Sequence, residues 1–397
     1  MAAARFRAAV SPLRRRFEAP DRPRPLVAEA VASERPAVPL HCLRPSVIEE
    51  SAARFVATFP GDPLYAVKCN PDPTVLRAVH AGGVRHFDCA SAPEVALVHG
   101  LFPDAALHFM HPVKSRPALR AAWAAGVRDA VLDSAGELAK IVQETPADDR
   151  GLLVRLALPR GRAAYDLSGK FGAPVTEAAA LLRAARPHAA RLGISFHVGS
   201  QCLDPLAWRE AMVLAGTAIR RSGVSVDIID VGGGFPVAYP GSVPPPLGAY
   251  FAAIEAAFEE LGLPAATRLW AEPGRALVAR GVSVAVQVLL RRGDELFIND
   301  GIYGSLSDAG APGFRFPARL VRPVGPAPSA ALRDFTVFGP TCDAADRLSA
   351  AVALPEDTAE GDWIEIGQLG AYGACLRTGF NGFDAIRSVA VRDAPML

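Results

Sequence analysis

Eight short apolar runs of strand length alternate with Ala- and Leu-rich segments of helical period between residues 60 and 275, and this repeat constrains the fold more than any other feature. The runs are 64–68, 85–89, 107–110, 130–133, 152–156, 194–198, 226–231 and 268–272. Helix candidates fill the gaps at 73–81, 92–99, 115–125, 135–143, 176–185, 205–221 and 247–261. Several open on Ser, Asp or Pro and close near Gly, as helix ends require. Eight β-then-α units with mostly short connections predict a closed parallel (β/α)8 barrel, with an open doubly wound sheet as the alternative.

A barrel gathers its chemistry where strands end. The first run closes LYAVKCN at 64–70, an apolar stretch ending in Lys68 before an Asn-Pro-Asp-Pro break. An amine held among apolar neighbours loses solvation of its charged form, so its pKa is expected to fall and the group to act as a carbonyl-capturing nucleophile. By itself the stretch is better read as a strand-end lysine snorkelling to solvent, and the other strand ends shift that balance. The other ends add Asp88 with Ser91, the run His197-Val198-Gly199-Ser200, the triglycine Gly232-Gly233-Gly234, and Glu272 with Gly274 and Arg275. Strand starts carry no comparable set.

Each of these has a task if the ligand is an aromatic aldehyde bearing a phosphate, namely pyridoxal 5'-phosphate (PLP). The triglycine would let backbone N–H groups approach the phosphate, with Arg275 and Ser200 completing the cradle. Glu272 would pair with the ring nitrogen and His197 would stack on the ring. The plainer alternatives are a tight turn, a structural salt bridge and a hydrogen-bonded core histidine.

Composition removes other classes. Half the residues are hydrophobic, 21% are charged and the net charge is +1, which points to neither nucleic acid nor an anionic membrane as partner. No apolar run is long enough to span a bilayer. The six cysteines show no metal-ligand spacing, so no metal is expected and the thiols are read as reduced, in a cytoplasmic protein. Residues 1–16, Ala- and Arg-rich without an acid, resemble an organellar transit peptide as well as a disordered or helical leader. The same bias runs through the whole chain, so 1–34 is read as a leader without order of its own and 20–39 as an extended, Pro-rich approach to the first domain. Beyond about residue 276 the pattern changes to short alternating strands at 282–290, 295–299, 319–322, 334–338, 363–366 and 388–391, which reads as an all-β domain.

Nine ordered motifs, LYAVKCN, FDCAS, HVGSQC, DVGGGFP, AEPGR, INDGIYGS, FGPTCDAAD, LGAYG and FNGF, span residues 64–383 and resemble the fold-type III PLP decarboxylases that act on ornithine, lysine, diaminopimelate and arginine. The resemblance implies a PLP-binding barrel over 45–275. It also implies a C-terminal β-barrel domain over 276–397 that takes in residues 35–44, and head-to-tail homodimers with active sites shared between subunits. It gives Lys68 the covalent link to the cofactor, and it places Asp88, His197, Ser200, Gly233, Gly234, Glu272, Gly274, Arg275 and Tyr372 around the cofactor. Cys342, supplied by the partner subunit, would return a proton to the substrate carbon. Asp343 would meet the distal ammonium of a basic amino acid, with Tyr303, Asp308 and Phe380 nearby.

The TCD at 341–343 resembles ornithine and lysine decarboxylases and departs from the Cys-Glu of diaminopimelate decarboxylases. A second aspartate that eukaryotic ornithine decarboxylases carry after INDGIYGS falls here near Pro312, and the nearest acid is Asp308. The implied reaction is decarboxylation of ornithine or lysine to putrescine or cadaverine. Diaminopimelate or another specialised amino acid is the alternative substrate. A non-catalytic, decarboxylase-like regulator or PLP carrier is the alternative of another class.

Overall fold

The computed structural model describes residues 24–161 and 163–397. Eight parallel strands, Asp62–Ala66, His86–Cys89, Ala106–Phe109, Asp129–Leu132, Gly151–Arg155, Arg191–Ser195, Ile228–Asp230 and Arg268–Ala271, close into a barrel. The last strand pairs back onto the first through Asp62↔Trp270 and Pro63↔Ala271, which excludes the open sheet. Helices follow the strands closely because their caps lie at the strand ends. Ser91, Ser115 and Ser134 accept from the N–H groups of Glu94, Ala118 and Glu137, and Asp72 accepts from Thr74. Proline in the first turn adds a preset φ at Pro73, Pro93 and Pro117.

Side chains alternate across each barrel strand. Tyr65, Phe87, Phe109, Leu132, Val154, Ile194 and Ile229 face the helices and form the main core, whereas Leu64, Met110, Val131, Leu153, Ile228 and Trp270 make a separate interior cluster. The interior parity continues to Asp88 from His86, to Arg155 from Leu153, to Asp230 from Ile228 and to Glu272 from Trp270. Sequence alternation thus aims four charged side chains into the mouth of the barrel.

The second region is an eight-stranded sheet. Val282–Arg292 is its spine, pairing with Glu295–Ile298 and Trp363–Ile366, and Leu40–Leu43 runs antiparallel to it. Leu40–Leu43 also pairs in parallel with Arg387–Ala390. The strand Val352–Pro355, which pairs with Leu332–Phe338, lies outside the strands expected from sequence.

The reading of 20–39 as an extended approach needs correction. Val27–Glu34 is an α-helix whose Val27, Ala30 and Val31 pack against Leu40, Ala285 and Trp363. Its VAEAVASE sequence lies between prolines, yet its apolar residues share one helical face and the Glu29 carboxylate accepts from the Leu26 N–H at 2.7 Å. The rest of the leader, residues 1–23, lies outside the described residues.

Candidate active site

Lys68 sits in the single 3-10 turn Val67–Cys69 that follows the first barrel strand. Its Nζ donates to Asp88 Oδ2 at 2.6 Å, and Asp88 is 1% exposed. Burial opposes the ammonium charge, but the Asp88 and Glu272 carboxylates outweigh it and hold the lysine above its ordinary pKa. The expected fall in the Lys68 pKa is therefore reversed here, because the barrel brings together two carboxylates that lie 20 and 204 residues away in sequence.

Glu272 follows the last strand, and its Oε1 is buried without a hydrogen-bond partner. Burial first, then the Asp230 and Asp88 carboxylates, push its carboxyl well above the usual range. His197 follows the sixth strand, with its Nδ1 accepting from the Gly199 N–H at 3.0 Å. Burial, then Arg155 and Lys68, hold the imidazole neutral with its pKa well below the ordinary value. A ring so fixed presents a flat, uncharged face. A cavity of about 250 Å³ opens beside it, lined in part by Arg155, Phe171 and Asp204.

Arg275 lies opposite. Its Nη1 donates to the Tyr239 hydroxyl at 2.8 Å, and its Nη2 donates to Asp308 at 2.9 Å and to Ser200 at 3.4 Å. The guanidinium sits about 5 Å from the rings of Phe314 and Tyr372. Tyr372 reaches this point because its N–H bonds the Cys69 carbonyl, 2.9 Å away, which docks the second region on the turn that carries Lys68. Gly274 lies between Glu272 and Arg275 and packs on Cys69. A Cβ at Gly234, whose φ is 104°, would lie 2.4 Å from the Gly199 carbonyl, and one at Gly233 would lie 2.7 Å from the Glu272 carbonyl. Only glycine leaves that backbone open to a ligand.

These residues fit PLP. Buried polar atoms without partners point to the groups it carries: Arg275 Nε is an unused donor beside a glycine turn, suited to a phosphate, and Glu272 Oε1 is suited to a ring nitrogen. Lys68 supplies the amine for the aldehyde.

Tyr303, Cys342, Asp343 and Phe380 form a second group. The Tyr303 hydroxyl donates to Asp343 Oδ2 at 2.5 Å, and its ring lies 5.1 Å from that of Phe380. This hydroxyl, with the Ala345 N–H, holds the Asp343 carboxyl below its ordinary pKa. Cys342 is exposed, and its backbone N–H bonds Asn381 Oδ1 at 3.0 Å. Asp308 does not join this group: the 3-10 turn Ser307–Ala309 seats its carboxylate on Arg275, so the structure places it with Arg275 and Ser200 and not, as expected, with Tyr303 and Asp343.

Arg155, Asp230 and Tyr239 were missed in the sequence reading. The alternation within GLLVR and the leading Asp of DVGGGFP carried a signal for the first two. Tyr239 had none, since it reaches Arg275 from a loop.

An eight-stranded barrel whose mouth holds an amine, a neutral imidazole, a buried acid and an arginine-glycine anion cradle, joined to a sheet region, defines the class of barrel PLP enzymes. A family profile described as the pyridoxal binding domain of pyridoxal-dependent decarboxylases matches residues 46–279, and one described as their C-terminal sheet domain matches residues 276–370. The lysine/ornithine decarboxylase of Selenomonas ruminantium is 34% identical over 342 residues, covering 83% of this chain and 84% of that protein. Decarboxylase flvG of Aspergillus flavus is 34% identical over 360 residues, covering 82% and 79%. The crystal structure of the Paramecium bursaria Chlorella virus arginine decarboxylase superposes with a TM-score of 0.81 at 29% identity, covering 91% of this chain and 98% of that one. The chain belongs to the pyridoxal-dependent decarboxylase family. It is a PLP-dependent lyase that decarboxylates a basic amino acid.

Proposed function

We propose that the substrate is L-ornithine, L-lysine or both, released as putrescine or cadaverine for polyamine synthesis, by a cytoplasmic homodimer. The observation that carries this reading is the Tyr303–Asp343 pair, which presents a carboxylate kept ionised on a half-exposed face. An ammonium group is its natural counterpart, and a terminal amino-carboxylate is not. Among the described residues no hydrogen bond, ion pair or ring contact joins this pair to Lys68, which favours a site completed across a two-fold dimer. Six free cysteines fit a reducing compartment, and no helix among the described residues is long and apolar enough to cross a membrane.

In this reading Arg275, Ser200, Tyr372 and the N–H groups of Gly233 and Gly234 bind the cofactor phosphate. His197 covers one ring face and Glu272 keeps a proton at the ring nitrogen. When bound, PLP supplies the electron sink that accepts the pair released as the substrate carboxylate leaves as carbon dioxide. Lys68 would hold the cofactor at its aldehyde and would be the amine in place there when the product leaves. Cys342 of the partner subunit returns a proton to the substrate carbon. Asp343 fixes chain length by pairing with the distal ammonium.

The test is carbon dioxide release by the PLP-loaded protein from ornithine, lysine, arginine and diaminopimelate offered separately. Turnover of ornithine or lysine supports the assignment, and turnover of diaminopimelate alone overturns it.

A further inference from the structure

Asp230 ends the seventh barrel strand in register with Trp270, two residues before Glu272, and both acids follow the interior parity of their neighbouring strands. Two buried carboxyl groups brought together in this way can bond to each other only with a proton between them. Asp230 Oδ2 and Glu272 Oε1 are both buried and no other donor reaches them, while Asp230 Oδ1 is held by the Gly232 N–H at 2.9 Å. The backbone keeps the two acids together, since the Val231 N–H bonds the Trp270 carbonyl and the Glu272 N–H bonds the Gly232 carbonyl. Facing the pair are Asp88, Lys68 and Arg155, and the neutral His197 lies across Gly233. Arg155 and Lys68 are the cations in this group and Asp88 already engages Lys68, which leaves Arg155 to balance one negative charge on the pair. Burial pushes both acids upward.

We propose that Asp230 and Glu272 form a proton-sharing pair that donates its proton to the cofactor ring nitrogen on binding, with Asp230 as the positioning residue. This rests on the reading that Glu272 meets that nitrogen. The O–H bond at Glu272 breaks and leaves its electrons on oxygen, and an N–H bond forms on the nitrogen lone pair. One negative charge on the pair becomes two, and the new positive charge on the ring balances the second. The site thus supplies its own proton and takes none from water, even at a pH where the free cofactor ring is unprotonated.

The experiment titrates PLP into cofactor-free, full-length protein by calorimetry at mildly alkaline pH, in buffers of different ionisation enthalpy, to count protons exchanged. In Asp230→Asn the amide keeps the Gly232 contact through its oxygen and donates to Glu272 through its nitrogen, replacing the shared proton. Protons are counted at a pH where the variant shows no protonated-carboxyl infrared band, so that Glu272 is ionised before PLP arrives. The variant should take up about one more proton per site from the buffer than the wild type. Equal proton counts with PLP bound in both proteins overturn the pair and leave the function reading standing. Failure of the wild type to bind PLP overturns both. Should the variant not fold, infrared spectra of the wild type decide: the pair requires a protonated-carboxyl band that PLP removes, and absence of that band overturns it.

Discussion

Asp308 Oδ2 lies 2.9 Å from Arg275 Nη2, and the two side chains are only 11% and 5% exposed. A buried guanidinium left without its carboxylate bears the full cost of an unpaired charge. Asp308→Ala should therefore destabilise the cofactor-free protein by roughly 3–5 kcal/mol in urea unfolding. Added PLP should recover part of that loss, because its phosphate replaces the missing anion. Wild-type stability in the variant would show that the pair is broken in solution.

Lys68 and Asp88 predict a pH effect whose sign follows from the ion pair. Asp88→Asn removes the nearer of the two carboxylates that raise the lysine and leaves burial opposed by Glu272 alone, so its pKa should fall from the wild-type position. More of the amine is neutral near pH 7, so covalent capture of PLP, followed by absorbance, should run faster in the variant than in the wild type. Lys68→Ala should leave no cofactor attached after borohydride reduction, as read by mass spectrometry.

Asp343 and Tyr303 separate binding from chemistry. Asp343→Asn should raise KM for the preferred diamino acid roughly 10- to 100-fold with a smaller change in kcat, while Tyr303→Phe should have a milder effect in the same direction. An unchanged KM in steady-state kinetics would remove Asp343 from substrate recognition.

His41 gives a stability signature away from the site. It is 4% exposed with Nε2 2.9 Å from Ser305 Oγ, and burial lowers its pKa from 6.5 to about 4. The unfolded chain takes up a proton that folded His41 refuses, so its contribution is complete above pH 6.5 and is lost as pH falls toward 4. That loss is on the order of 3 kcal/mol. The raised Glu272 and Asp230 act with opposite sign in part of the same window, so the measurement is the difference between wild type and His41→Gln in melting temperature against pH. The variant should lose less stability on acidification.

The sequence alone determined the barrel, because the alternation of apolar runs and capped helices is local, and eight such units bury their faces by closing. It also marked Lys68, His197, Glu272 and Arg275, since chemistry at a barrel collects at strand ends. Less legible was what those groups do to one another. Whether Lys68 is raised or lowered depends on Asp88 and Glu272, and whether Asp308 serves substrate or phosphate depends on Arg275. The helix Val27–Glu34 went unread because only a sheet made from both ends of the chain rewards its apolar face. Tyr239 and Tyr372 were joined to Arg275 by a loop and by the second region. Local pattern decides which element forms and which way a side chain points, but an electrostatic field sums over neighbours in space, and only the closed fold decides who those neighbours are.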